Sequence, residues 1–118
     1  YLTAKTKQPG VRTKLFIAEE TIGIGKINLL SVLGEVGSIR GAARQMSMSY
    51  RRAWFLLDSM QSGFCDPLFI TERGGLRKGG TKLTPLGHDL IKRYRAHVDC
   101  VDNHSVEIVA WLKSVQIG

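Results

Sequence analysis

Long apolar runs are missing. No segment of the 118 residues approaches the roughly 20 consecutive apolar residues that span a bilayer, so no membrane partner is expected. The opening stretch YLTAKTKQPG lacks the apolar core of a signal peptide. An initiator methionine is also missing, so Tyr1 reads as the start of a trimmed or processed chain. Cysteine is scarce. Cys65 and Cys100 lie far apart and form no C-x-x-C pair. They read as free thiols in a reducing compartment, which points to the cytoplasm, with a single disulfide between them left open. Neither G-x-G-x-x-G nor G-x-x-x-x-G-K-[ST] occurs, which argues against a nucleotide cradle. No Ser/His/Asp or Cys/His arrangement stands in a recognisable context. Glu19 and Glu20 are adjacent but point apart on most backbones, and Asp99 and Asp102 read as surface charges, so the chain is not expected to be an enzyme.

Positive charge is abundant. Seventeen Lys and Arg against ten Asp and Glu leave a net +7, which attracts polyanions, nucleic acid foremost. The apolar content of 43% suffices for one globular domain of this length.

Residues 1–10 have no apolar period and read as a flexible arm. Val11 to Ala18 alternate partly and suggest a short strand. Gly23 and Gly25 interrupt the chain. From Lys26, Ile27, Leu29, Leu30, Val32, Leu33 and Val36 recur mostly at threes and fours, the period of a helix that Gly37 can close in a left-handed conformation. Ser38 can cap a second, short helix whose middle, Gly41-Ala42-Ala43, is small enough for another helix to approach closely. A turn at Ser47 and Met48 precedes a second cap at Ser49. A third helix is expected from Tyr50 to Ser62, its inner face formed by Ala53, Trp54, Leu57 and Met60. Leu68 to Arg73 and Thr81 to Thr84 read as two strands around a glycine-rich basic tip. Thr84-Pro85 then opens a last helix, with Asn103 and Ser105 as candidate interruptions.

A short helix, a tight turn and a second helix with polar and cationic residues at its start make a helix-turn-helix over 38–62. Ser49, Tyr50, Arg51 and Arg52 are the candidate reading residues, because arginine can bond guanine O6 and N7 and hydroxyls can bond phosphates or bases. Residues 68–84 read as a wing, with Arg73, Arg77, Lys78 and Lys82 beside its glycines as candidate backbone contacts. The fold class expected is mainly α with a small β-hairpin wing. It is a winged helix-turn-helix in a single domain, 1–118, followed by a long dimerisation helix over 85–115. A winged-helix protein-interaction module with little DNA binding is the alternative.

The stretch GSIRGAARQMSMSYRRAW from Gly37, continuing through DSM at Asp58, resembles the N-terminal domain of ModE-type molybdate-responsive regulators. That domain shares the winged helix-turn-helix of the wider LysR-type group. ERGG from Glu72, KGG from Lys78 and LTPLG from Leu83 resemble the same family's glycine-rich wing and following helix. The resemblance spans about residues 12 to 100. It implies a bacterial transcriptional regulator that binds duplex DNA as a two-fold dimer. Ser49, Tyr50, Arg51 and Arg52 would face the major groove, and Arg73, Arg77 and Lys78 would serve the wing. ModE-type proteins carry C-terminal oxyanion-binding modules. With the chain ending at Gly118, molybdate is not expected as a partner.

In the last helix, Gly87, Ile91, Tyr94, Val98, Val101, Ser105, Ile108, Leu112 and Val115 alternate by fours and threes, the seam of paired helices. Ile91, Tyr94, Val98, Val101, Ile108, Leu112 and Val115 are therefore the candidate interface with a second copy. His97, Cys100 and His104 share a face at spacings that zinc could use, but such trios are more often incidental, and no metal or cofactor is expected.

Overall fold

The structure is a computed structural model that describes residues 8–72 and 80–117. It is mainly helical, with two small antiparallel hairpins. Strand β1 (Leu15–Ile17) pairs with β2 (Glu20–Ile22), Leu15 opposite Ile22. The two residues between them, Ala18 and Glu19, have φ of 46° and 72°. Positive φ at both turn positions lets a two-residue turn follow the twist of the strands, and Asn-Gly is its usual sequence signal. Alanine and glutamate carry no such signal, so β2 was not expected. Of the expected arm, residues 1–7 lie outside the described residues, and Gln8 to Gly10 adopt no regular structure.

Helix α1 (Ile24–Val36) is the centre of the core. It begins before Lys26, with Gly25 inside its first turn. Ile27, Leu29, Leu30 and Leu33 are fully buried over a broad arc, since other elements pack on more than one side of the helix. Burying each such side chain stabilises the fold by about 1.5–3 kcal/mol. Gly37 closes the helix at φ 87°, its N–H donating to Leu33 O at 2.9 Å.

Helices α2 (Ile39–Gln45) and α3 (Tyr50–Gln61) pack on α1 and on each other. Ala42, Ala43 and Ala53 are all buried, as close helix approach requires. Ala53, Leu57 and Met60 form the inner face of α3. Trp54 was expected there and is instead 48% exposed.

Strands β3 (Phe69–Thr71) and β4 (Thr81–Leu83) pair with Ile70 opposite Lys82. Their base is tied down on three sides. Gln61 Oε1, at the end of α3, accepts from Leu68 N at 2.9 Å and Phe69 N at 3.3 Å. Thr81 N donates to Gly37 O at 2.8 Å. Thr84 Oγ1 donates to Pro67 O at 2.8 Å.

The last helix is two helices. α4 (Pro85–His104) starts at the expected Thr84 cap, whose hydroxyl accepts from Gly87 N at 3.1 Å. α5 (Val106–Val115) follows a break at Ser105. There the serine hydroxyl donates back to Val101 O at 2.6 Å, a bond that competes with the helical ladder and bends it. The single helix expected over 85–115 is corrected accordingly. The radius of gyration is 17.2 Å and the long extent 60 Å. A compact chain of this length would have a radius of roughly 13–14 Å, so the far end of α4 and α5 extends away from the core.

Ile91 and Tyr94, placed by their spacing in an intermolecular seam, belong instead to the chain's own core. Tyr94 is 2% exposed, and its hydroxyl donates to Thr13 O at 2.7 Å, holding the N-terminal segment against α4. Burial pushes the phenol pKa up, which keeps the donor protonated. Spacing cannot separate a seam against a second copy from a stripe against the chain's own body. The N-terminal half of this stripe is of the latter kind.

Candidate nucleic-acid interface

The site is assembled by two serines and a turn. Ser38 Oγ accepts from Gly41 N at 2.9 Å and starts α2. Met46, Ser47, Met48 and Ser49 make the connection, with Ser47 at φ 56°, a left-handed position that a non-glycine residue occupies at a cost. Backbone bonds from Met46 N to Ala42 O at 3.0 Å, Ser47 N to Arg44 O at 3.1 Å and Met48 N to Ala43 O at 3.0 Å hold this turn tight. Ser49 Oγ then accepts from Arg52 N at 3.0 Å and starts α3.

The result is a helix start that stands clear of the core. Ser49, Tyr50, Arg51 and Arg52 are all exposed there. The other N–H groups of the first turn and the positive end of the helix dipole favour an anion at this end. Arg40 and Arg44, exposed on α2, add charge beside it. The Arg40 guanidinium lies 5.0 Å from the centre of the Tyr50 ring, a cation–π contact that ties the two helices' outer faces. Ser49, Arg51, Arg52, Trp54 and Phe55 line an open concavity of about 550 Å³. Neither Arg40 nor Arg44 was singled out in the sequence, although both stand on the short helix that precedes the turn. The signal for Trp54 was available too. Ala53, Leu57 and Met60 define the inner arc of α3, and at 3.6 residues per turn Trp54 falls at its edge, nearer Arg51 and Asp58.

Replacing Ser49 by alanine should cost about 1 kcal/mol, because the Arg52 N–H loses its acceptor. A lower urea midpoint with an unchanged slope would show it. An unmoved midpoint would mean that water serves that N–H equally well.

Of the wing cations, Arg73, Arg77 and Lys78 lie outside the described residues. Lys82 is exposed on β4 and pairs with Glu72 at 3.6 Å, so part of its charge is already answered. In the expected seam, Val98 and Val101 are half-buried, while Ile108, Leu112 and Val115 are exposed on α5. Cys65 and Cys100 are free and exposed. Among the described residues, no group of three or more His, Cys, Asp or Glu side chains is gathered where it could hold a metal, so His97, Cys100 and His104 are not brought together as ligands. No helix among them is long and apolar enough to cross a membrane.

No family model matches the chain. Curated relatives do. Over 75 residues the chain is 37% identical to the molybdenum-pterin-binding protein MopB of Rhodobacter capsulatus, a match covering 64% of this chain and 28% of that protein. Over 71 residues it is 38% identical to the molybdenum transport protein ModE of Azotobacter vinelandii, covering 60% and 26%. Over 69 residues it is 35% identical to the transcriptional regulator ModE of Haemophilus influenzae, covering 58% and 27%. The chain's homologues are thus ModE and Mop proteins, which bears out the ModE-type resemblance read from about residues 12 to 100 of the sequence. The aligned region amounts to about a quarter of the length of these relatives.

One expectation is overturned by these relatives. Molybdate was set aside because the chain ends at Gly118. The relatives carry molybdenum in their names, as molybdenum-pterin-binding and molybdenum transport proteins, which points toward molybdate. The end of the chain was not a sound basis for excluding a ligand.

Proposed function

We propose that this chain is the DNA-reading part of a transcriptional regulator: a winged helix-turn-helix that binds duplex DNA sequence-specifically as a homodimer. One observation carries the reading. The capped start of α3 projects Ser49, Tyr50, Arg51 and Arg52 from the core with Arg40 and Arg44 beside them. An α-helix with side chains is about 10–12 Å across, and the major groove of B-DNA is about 12 Å wide. The relative named as a transcriptional regulator supports the regulatory role. The relatives' molybdenum names support a molybdenum compound, molybdate first, as the signal to which the regulator responds.

For the dimer, the support is the extended far end of α4 and α5. Ile108, Leu112 and Val115 leave apolar surface in water there, and a second copy would cover it, with the half-buried Val101 at the inner margin of the contact and Val98 packed on the chain's own core. A two-fold pair would set two α3 helices on successive turns of DNA, about 34 Å apart.

Sedimentation of the chain with duplexes drawn from a random pool, at low salt, tests the proposal. Two chains per selected duplex are expected. Arg51→Ala should weaken the selected duplex by roughly ten- to a hundredfold and random duplex much less. No binding at low salt would end the DNA reading, one chain per duplex would end the dimer, and equal loss on both duplexes would make Arg51 a phosphate contact.

A further inference from the structure

Phe55 is 62% exposed, in the middle of a helix whose inner face is fully packed. At 3.6 residues per turn, Arg51, Phe55 and Asp58 fall within roughly 60° of one another, while Ala53, Leu57 and Met60 lie on the opposite side. Phe55 therefore stands at the centre of the outward arc of α3, one turn below Arg51. Trp54 flanks it, and both line the concavity with Ser49, Arg51 and Arg52. The core gains nothing from Phe55 at this position, and an aromatic ring left in water forfeits the burial that usually stabilises it.

The surroundings narrow what could cover the ring. Arg40, Arg44, Arg51 and Arg52 surround this end of α3 with exposed cations. An apolar protein face would have to desolvate them, whereas the major groove meets them with phosphates on both walls and offers one apolar group on its floor, the thymine C5-methyl. Asp58 lies roughly 10 Å along the axis from Arg51, at the far end of the arc, where an acceptor suits a base amino group better than a phosphate.

We propose that Phe55 is a specificity-determining residue that packs on a thymine C5-methyl, so that each half-site carries a thymine beneath the second turn of α3. This rests on the DNA reading above and adds to it a base preference that arginines alone would not impose.

The test compares the selected duplex with the same duplex carrying deoxyuracil at one thymine per half-site, scanned position by position, a change that removes only the methyl. At one position the full chain should bind the uracil duplex about fourfold more weakly per half-site, the usual worth of one buried methyl group. Phe55→Ala should bind both duplexes equally, and Phe55→Leu, still apolar, should keep most of the discrimination. If the unaltered chain binds every uracil duplex as tightly as thymine, or if Phe55→Ala still discriminates, the proposal falls while DNA binding stands. If Phe55→Ala instead changes the oligomeric state in the absence of DNA, the ring is a protein contact and the proposal is wrong. Absence of binding to any duplex would remove the DNA reading itself, a distinct outcome.

Discussion

Raising monovalent salt from 50 to 200 mM will weaken duplex binding by about fortyfold for each protomer engaged, if three arginines of the described surface meet phosphates. The number follows from counterion release. Each neutralised phosphate contributes roughly 0.9 to the slope of log affinity against log salt. Arg40, Arg44 and Arg52 are exposed beside the start of α3, and Arg51 is left out because it is assigned to a base. Three contacts give a slope of about 2.7, hence the roughly fortyfold loss for a fourfold rise in salt. Lys82 is left out because Glu72 already answers part of its charge at 3.6 Å. Arg73, Arg77 and Lys78 are left out because they lie outside the described residues, so a slope clearly steeper than this would assign phosphate contacts to them. Arg44→Ala should lower the slope by about one if it meets a phosphate, whereas a base contact would leave the slope nearly unchanged. A flat response to salt would defeat the electrostatic part of the proposed function.

Much of this surface could be read before the fold was known, and the reason is local chemistry. Ser38, Ser49 and Thr84 each cap the helix expected of them, because a hydroxyl three residues ahead of a free N–H finds it within one turn. Gly37 takes the left-handed conformation that few other residues tolerate. The paired strands of the second hairpin also fall within their expected segments. What could not be read depends on partners distant in sequence. Ile91 and Tyr94 follow a heptad spacing, but only the fold shows that their partner is the chain's own core. The turn at Ala18-Glu19 is held by strand pairing and not by its own residues. Trp54 was misplaced because its size suggested burial while its angular position on α3 did not. Arg40 was overlooked because its role depends on Tyr50, ten residues on and across a turn.

The same tertiary ties leave Gly87, among the described glycines, the one whose added β-carbon would come closest to other backbone. A β-carbon there would collide with Leu68 O and lie 3.2 Å from Leu68 C, with Leu83 Cβ at 3.5 Å. The obstacle is backbone, and it is anchored: Leu68 O accepts from Thr84 N at 3.0 Å, while Leu68 N donates to Gln61 Oε1 at 2.9 Å. Relief of the clash would have to lift α4 from the base of the second hairpin or break the bonds that join that hairpin to α3. Gly87→Ala is therefore expected to destabilise the chain by about 3 kcal/mol or more, at the upper end for overpacking, against a helix-propensity gain of about 1 kcal/mol. Gly25→Ala is the control. It also lies in a helix, but its β-carbon would meet nothing within 4 Å, so it should be neutral or slightly stabilising. Urea unfolding of the two variants separates the effects, and a Gly87→Ala midpoint close to that of the unaltered chain would refute the packing argument. If the variant stays folded at low temperature, its duplex affinity is informative as well. The Leu68 peptide joins α4 to the end of α3, so under the proposed DNA reading a displaced hairpin base should weaken binding to a duplex long enough to reach the proposed wing more than binding to one that covers only the groove proposed to lie beneath α3. Equal loss on the two would mean that the wing adds nothing to the contact.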